Sequence, residues 1–378
     1  TDSTNWIAKR ANELIINNHD VNQLTYSEAL STPCIKSHDF VTSYVSDLKN
    51  VIDIEAIKNA ELKICVDALG GSAMKYWHAI NQFYNLNLVI KNDVYDPTFS
   101  FMHADHDGKI RMDCSSQYAM ASLINLKNDF DVIMANDPDA DRHGIVTPSA
   151  GLLNPNHFLA SCIHFLFNNR KDWDRDLAVG KTLVSSSIID RIVNELNKEL
   201  KEVPVGFKWF VQDLLNGNIG FGGEESAGAS FLRKNGEVWT TDKDGIILSL
   251  LACEIKAKTK IDAGEYYNRL TLKHGSPVYS RLDANADMDE KQKISTLSPN
   301  DLKTNSLADE EIITKITHAS GNNKPIGGIK ITTKNGWFAA RPSGTEDIYK
   351  IYVESFLGES HLKKIQQDAK KIVADAIT

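Results

Sequence analysis

The sequence is poor in the features that hold secreted and membrane proteins together. Its five cysteines, Cys34, Cys65, Cys114, Cys162 and Cys253, are scattered, odd in number and without a Cys-x-x-Cys pair. A disulfide framework or a cysteine zinc site needs paired or clustered thiols, so reduced cysteines in a cytoplasmic protein are expected. No run of about 18 apolar residues is present and no charged-then-apolar segment opens the chain, which leaves no membrane helix and no secretory signal to read. Positive charge is also short: 42 Lys and Arg stand against 50 Asp and Glu, a formal net charge of −8. A general nucleic-acid binder needs a basic footprint, and none exists here. Any anionic ligand must therefore be held by a locally basic pocket. Internal repeats and low-complexity tracts are missing as well.

What is present is an ordinary globular composition, 42% hydrophobic and 24% charged over 378 residues, enough for about two to four domains. Trp6, Ile7, Ala11, Leu14 and Ile15 repeat at helical spacing, and so do Phe40, Val41, Tyr44, Val45 and Leu48. No strand partners these helices locally, as at the tail of a domain that starts upstream of Thr1. A β/α alternation follows, with strands expected at 62–67, 86–90 and 131–135 and helices at 73–84 and 116–127. The pattern restarts with a helix at 156–167, a strand at 181–185, a helix at 188–200, a strand at 219–222 and a helix at 244–258 capped by Asp242 or Asp244. Such alternation predicts mostly parallel sheets with helices on both faces. The last hundred residues change character. Residues 329–333, the turn Lys334-Asn335-Gly336 and 337–340 carry a hairpin signal, and 348–356 reads as a third strand. A closing helix from Ser360 shows Leu362, Ile365, Ala369, Ile372 and Val373 on one face. The polar stretch 283–305 reads as a linker or variable surface.

Chemistry collects in three loops. The apolar run 131–135 leads into Asp137-Pro138-Asp139-Ala140-Asp141-Arg142, and in open α/β sheets ligands gather at the carboxyl ends of strands. Carboxylate oxygens are hard ligands that suit Mg²⁺. An EF-hand is excluded, because its glycine and closing glutamate positions hold Arg142 and Pro148. Arg142 beside the acids sets a guanidinium next to a cation site, a way to hold a phosphorylated ligand; the bland alternative is a solvated loop. The second loop, Gly223-Glu224-Glu225-Ser226-Ala227-Gly228, offers carboxylates and a hydroxyl for sugar hydroxyls, or is a charged hairpin turn. In the third, Arg341-Pro342-Ser343-Gly344-Thr345-Glu346, an Arg fork, two hydroxyls and an open glycine suit phosphate oxygens, or form an ordinary turn. Gly70-Gly71-Ser72 lacks the spacing of either nucleotide fingerprint and reads as a turn. Together the loops ask for a ligand with an anionic end, a hydroxylated middle and a metal-assisted reacting end: a sugar phosphate undergoing phosphoryl transfer.

These three loops, in this order, resemble those of the α-D-phosphohexomutases, and the text at 203–210, 222–233 and 337–356 is most similar to the bacterial phosphoglucomutases of that family. The resemblance covers essentially the whole chain. It implies an α/β multidomain protein: two α/β domains with mixed sheets plus a small C-terminal α+β domain. The divisions implied are 1–40 for the remnant of a first domain, 41–150 for a second with the metal loop, 151–272 for a third with the sugar loop and 273–378 for a fourth with the phosphate loop. It implies Mg²⁺ on Asp137, Asp139 and Asp141, sugar hydroxyls on Glu224 and Ser226, and the non-reacting phosphate on Arg341, Ser343, Gly344 and Thr345. Arg142 would orient the hexose phosphate substrate and Lys243 would touch it, with Lys208 and Arg233 as further cleft candidates. Val205 stands where some relatives have a hydroxyl, so that contact should be absent.

The implied reaction interconverts glucose 1-phosphate and glucose 6-phosphate through a phosphoserine and glucose 1,6-bisphosphate. The family nucleophile lies in a Thr-x-Ser-His-Asn-Pro-like loop that these residues do not contain; Ser37-His38-Asp39 lacks the Asn-Pro and is given no catalytic role. The chain is therefore expected to be the C-terminal part of a mutase, without its catalytic serine and with little or no turnover. Phosphomannomutase, phosphoglucosamine mutase, a metal-dependent phosphatase and a non-catalytic sugar-phosphate-binding protein stand as alternatives.

Overall fold

A computed structural model describes residues 2–17, 23–105, 107–344 and 346–377, which fall into two compact units, Thr1–Ser43 and Tyr44–Thr378. In the first unit, α1 spans Asp2–Asn17, so the helical spacing at Trp6 to Ile15 is realised. Helix α2 (Tyr26–Leu30) opens on a capping box: Thr25 Oγ1 accepts the Glu28 N–H and Glu28 accepts the Thr25 N–H. Asp39 accepts the Thr42 N–H at the start of α3 (Phe40–Asp47).

The second unit continues with α4 (Ile54–Asn59) and builds three sheets. The first holds β1 (Ile64–Asp67), β2 (Val89–Lys91), β3 (Val132–Asn136), β4 (His143–Thr147) and β5 (Gly151–Leu152) in the order β2-β1-β3-β4-β5. Strand β1 is parallel to β2 and β3, whereas β4 and β5 run antiparallel. Helices α5 (Met74–Tyr84) and α6 (Ala121–Ile124) lie on the connections, and α7 (Pro155–Asn169) leads to the second sheet. That sheet repeats the plan: β6 (Ala178–Thr182), β7 (Leu200–Val203), β8 (Ile219–Gly223) and β9 (Ala229–Phe231) in the order β7-β6-β8-β9, with only β9 antiparallel. Its helices are α8 (Ile188–Glu195), α9 (Val211–Leu215), α10 (Gly245–Thr259) and α11 (Ala263–His274). The third sheet is wholly antiparallel. After β10 (Val278–Asn285), α12 (Met288–Ser295) and a small hairpin of β11 (Ser306–Leu307) and β12 (Glu310–Glu311), it adds β13 (Thr314–His318), β14 (Pro325–Thr332), β15 (Gly336–Pro342) and β16 (Ile348–Ser355) in the order β10-β16-β15-β14-β13. Helix α13 (Glu359–Ile377) lays Leu362, Ile365, Ala369 and Val373 on this sheet's core. Two mixed α/β sheets and a small α+β part are thus present.

Helix α10 shows how the parts lock together. It is apolar on every side, with Ile246, Ile247, Leu250, Leu251, Cys253 and Ile255 all buried, and such a helix must be covered all round. It follows the second sheet in sequence but packs on β3, β4 and α4 of the first. Glu254 within it is fully buried and takes a two-pronged ion pair from Arg170, at 2.6 and 2.8 Å. The second and third sheets meet across another buried charge cluster. Lys330 of β14 donates to Glu202 at 2.7 Å and to the Leu183 carbonyl at 2.6 Å, while Lys181 pairs with Glu202 and Asp190. Glu354 accepts from Ser186, Ser187 and Trp337.

Four expectations need correction. The helix at 116–127 shrinks to α6, because Asp113 accepts the Ser115 N–H and hydroxyl and holds a turn where the helix would start. The strand at 181–185 lies earlier, at β6; a bond between the Thr182 and Ser185 hydroxyls closes a turn after it. The helix at 188–200 stops at Glu195, since Asn197 adopts a left-handed backbone (φ 54°) and releases the chain into β7. The stretch 283–305 is no linker: it finishes β10 and forms α12, started by an Asp287/Glu290 capping box and anchored by buried Ile294, Leu297 and Leu302. All five cysteines are free, four of them buried, and burial pushes the Cys65 thiol up to about 12. Among the described residues no helix is long and apolar enough to cross a membrane.

Candidate functional site

The loop after β3 is closed by its own side chains. Asp137 accepts the Arg142 N–H at 3.0 Å, and Ala140 turns the chain with a left-handed φ of 61°. Buried Asn136 fixes the base, accepting from Trp77 Nε1 and donating to the Arg142 carbonyl, both at 2.9 Å. Gly71 presses on the loop from one side: a Cβ there would lie 2.4 Å from Pro138 Cα, and the next residue, Ser72, donates its N–H to the Pro138 carbonyl at 2.9 Å. The glycine pair read as a turn is also a buttress. Gly245 presses from the other side, its N–H bonding the Ala140 carbonyl at 2.9 Å and its missing Cβ avoiding a 2.1 Å clash with the Arg142 carbonyl.

The loop between β8 and β9 occupies the equivalent place in the second sheet, and the two loops pair. Arg142 and Gly228 form an isolated antiparallel bridge, and the His143 N–H bonds the Ala227 carbonyl at 3.1 Å. Lys243 lies across Gly228, where a Cβ would meet Lys243 Cδ at 2.3 Å. Its Nζ stands 2.9 Å from Asp141 Oδ2 and 4.0 Å from Glu224 Oε2. Glu224 also accepts the Gly206 N–H at 3.0 Å. The next residue, Asp244, caps α10 through the Ile246 and Ile247 N–H groups and accepts from Tyr44 and Trp239 at 2.8 Å each. Of the two N-cap candidates, Asp244 is the one used.

Electrostatics mark this junction as short of positive charge. Burial raises the pKa of Asp137, which is 3% exposed, above its ordinary value; the Arg142 N–H opposes this and the neighbouring charge of Asp141 adds to it. Burial and then Glu225 raise Glu224 likewise, against the pull of Lys243. Arg142 Nε lies 3.4 Å from Asp137 and 3.8 Å from Asp141. At this junction the ion pairs among the described residues run from Arg142 to Asp137 and Asp141 and from Lys243 to Asp141 and Glu224. Among the described residues no three acidic, histidine or cysteine side chains converge as a ready-made metal cage, and Asp139 is exposed. Mg²⁺ is commonly held by one or two carboxylates, with water and phosphate oxygens completing its shell, so this donor set fits it.

The third loop leaves β15. Arg341 sits opposite Lys350 in the register with β16, and its Nε is buried without a partner among the described residues. Ser343 donates its N–H to the Ile348 carbonyl at 2.9 Å, and its hydroxyl accepts the Glu346 N–H at 3.3 Å. The space a Cβ would take at Gly344 is open; Thr345 lies outside the described residues. An orphaned guanidinium N–H beside a serine and an open glycine suits an anion. Glu225, passed over in the sequence in favour of its neighbours, is anchored in the second loop. It accepts from Thr182 at 2.9 Å and feels the charges of Arg341 and Arg281. The doubled glutamate was the only sign of it.

The remaining candidates divide. Ser226 is exposed at the tip of its loop. Lys208 is exposed over the Trp209 ring, two residues beyond Gly206. Arg233 is occupied elsewhere, bonding Asp47 at 2.6 Å and the Val238 carbonyl at 3.1 Å.

Comparison with known proteins agrees with this architecture. Residues 42–151 match the phosphoglucomutase/phosphomannomutase alpha/beta/alpha domain II, residues 154–273 match domain III, and residues 284–372 match the C-terminal domain of the same proteins. A phosphoglucomutase of Komagataeibacter xylinus is 52% identical over 375 residues, 99% of this chain and 68% of its own length. The fold is shared with a phosphoglucomutase/phosphomannomutase family protein of Burkholderia thailandensis (TM-score 0.68, 20% identity, 90% of this chain and 65% of that one). It is shared too with an Aspergillus fumigatus N-acetylphosphoglucosamine mutase in complex with GlcNAc-6P and magnesium (TM-score 0.57, 14% identity, 92% and 72%). The chain therefore spans about two thirds of the length of these relatives. With three successive domains matched in order and half of its residues shared with a curated member, the chain belongs to the phosphoglucomutase/phosphomannomutase family of α-D-phosphohexomutases.

Proposed function

We propose that the chain binds a hexose monophosphate between its three loops, as part of the phosphoglucomutase reaction that interconverts glucose 1-phosphate and glucose 6-phosphate. The observation that carries the reading is the junction at Lys243, where the aspartate loop and the glutamate loop pair and share one cation. A ligand lying there meets carboxylates suited to sugar hydroxyls at one step and to a metal at the next. In this reading Glu224 and Ser226 accept and donate to the sugar hydroxyls, and Lys243 and Arg142 offset the charge of the end that reacts. Arg341, Ser343, Gly344 and Thr345 hold the phosphate that stays. Glu225, bonded by Thr182, adds negative charge in the field of Arg341. Lys208 stays a cleft candidate at the edge, while Arg233, tied to Asp47, supports the fold.

Mg²⁺ held by Asp137, Asp139 and Asp141 would neutralise charge on a transferred phosphoryl group; the fungal relative's complex with magnesium favours it. Glucose 1,6-bisphosphate is the matching intermediate and activator, and a cytoplasmic setting suits such a substrate. These residues contain no Thr-x-Ser-His-Asn-Pro-like nucleophile loop, so by themselves they should bind without turning over.

The test titrates glucose 6-phosphate into the chain with and without Mg²⁺ by calorimetry. A parallel assay supplies glucose 1-phosphate, catalytic glucose 1,6-bisphosphate and Mg²⁺. Binding without turnover is expected. Turnover would overturn the claim about the nucleophile, and failure to bind any of the glucose, mannose or glucosamine phosphates would overturn the site.

A further inference from the structure

We infer that a second anion-binding pocket, distinct from the candidate hexose-phosphate site, lies at the seam between the second and third sheets and takes a phosphate group. A cavity of about 280 Å³ opens there between the start of α8 and the β14–β15 turn, with Asp190, Arg191, Lys330, Lys334, Trp337 and Phe356 in its walls. Strand β15 runs from this turn to Arg341, a span of about 20 Å at strand spacing, so the pocket is not an extension of the phosphate loop.

The positive groups of the pocket are unevenly used. Lys330 is spent on Glu202 and the Leu183 carbonyl. Among the described residues Asp190 is the one acid lining the wall and is spent on Lys181, while Glu310 beside the turn is occupied by Thr333 and Asn335. Glu354 lies behind the wall, occupied by Ser186, Ser187 and Trp337. Arg191 is held flat, its guanidinium carbon 3.4 Å from the Phe356 ring centroid and one Nη donating to the His274 carbonyl at 2.5 Å. Among the described residues no carboxylate pairs with Arg191 or with exposed Lys334. Burial draws the Arg191 pKa below its ordinary value, and Glu354 and Asp190 restore it only in part. A stacked guanidinium keeps its fork pre-organised, which lowers the cost of gripping a phosphate. Because the walls come from two sheets, an occupant would also clamp the seam that orients the third sheet toward the other two.

The experiment uses the full chain and two probes, inorganic phosphate and glucose 6-phosphate, followed by calorimetry and ³¹P NMR at low salt. In an Arg341→Ala variant, phosphate should still bind at one site and raise the thermal midpoint. Adding Lys334→Glu, at an exposed position with no ion pair among the described residues and with the thermal midpoint as a check on folding, should weaken that binding about tenfold or more. Lys334→Glu alone should leave the Arg341-dependent binding of glucose 6-phosphate unchanged, so this pocket and the proposed function can fail separately. If glucose 6-phosphate competes with inorganic phosphate in the Arg341→Ala chain, the natural ligand is a phosphate monoester; if only inorganic phosphate binds, the ligand is the free ion. Loss of all phosphate binding with Arg341→Ala, or indifference to Lys334→Glu, would overturn the inference.

Discussion

Replacing Lys243 by Met removes one charge while keeping an unbranched chain to cross Gly228, and the geometry calls for opposite effects on two ligands. Lys243 Nζ lies 2.9 Å from Asp141 and 4.0 Å from Glu224. A unit pair at the shorter distance is worth about 1.4 kcal/mol in bulk water and about 6 kcal/mol at an effective dielectric of about 20. The two side chains are 22% and 29% exposed, so solvent and counterions remove most of that, leaving about 1–2 kcal/mol. In the proposed site Mg²⁺ and the ammonium would compete for Asp141. The variant should therefore bind Mg²⁺ about five- to thirtyfold more tightly, and hexose phosphate more weakly by a similar factor. Calorimetric titration of each ligand alone, with the thermal midpoint as a check on folding, reads both effects. Weaker Mg²⁺ binding would refute the competition, and unchanged hexose-phosphate binding would remove Lys243 from the sugar site.

Arg341→Ala should weaken hexose-phosphate binding by about 1.5–3 kcal/mol, the range for a charge-assisted contact; an unaltered dissociation constant would sink that assignment. Gly245→Ala drives a Cβ to 2.1 Å from a backbone oxygen and should cost about 1–3 kcal/mol in urea unfolding. Gly228→Ala, whose clash is with the flexible Lys243 side chain, should cost less, and the reverse order would contradict the reading of both glycines. Burial would raise the Glu202 carboxyl, but Lys330 and Lys181 outweigh it and hold its pKa below the ordinary 4.5. A depressed pKa contributes stability that is complete above the unfolded value and lost as pH falls through the folded one. Lys330→Met should therefore destabilise the chain at pH 7 by about 3–5 kcal/mol and flatten the loss of stability between pH 4.5 and acid, both visible in urea titrations across that range.

The sequence by itself determined the family resemblance, the fold class and much of the element list. The three loops could be read because each concentrates rare combinations of charge, hydroxyl and glycine within six residues, and strands β1, β3 and β8 could be read because buried strands are continuous apolar runs. Helix α13 showed its face because one side is polar. Where hydroxyl side chains or a left-handed asparagine compete with backbone pairing, as at Ser115, Ser185 and Asn197, periodicity misplaced the boundaries. The polar composition of 283–305 hid the few apolar residues that anchor α12. Only the tertiary structure decided what lies opposite what. Sequence order puts α10 with the second sheet, but burying a helix that is apolar on all sides required the first sheet as well. That packing carries Lys243 to the junction of two loops 86 residues apart in sequence. The bridge from Arg142 to Gly228, the close approach at Gly71 and Gly245, and the hydrogen bond from Thr182 to Glu225 are long-range contacts. No local pattern encodes them, because their energy exists only once the sheets are packed.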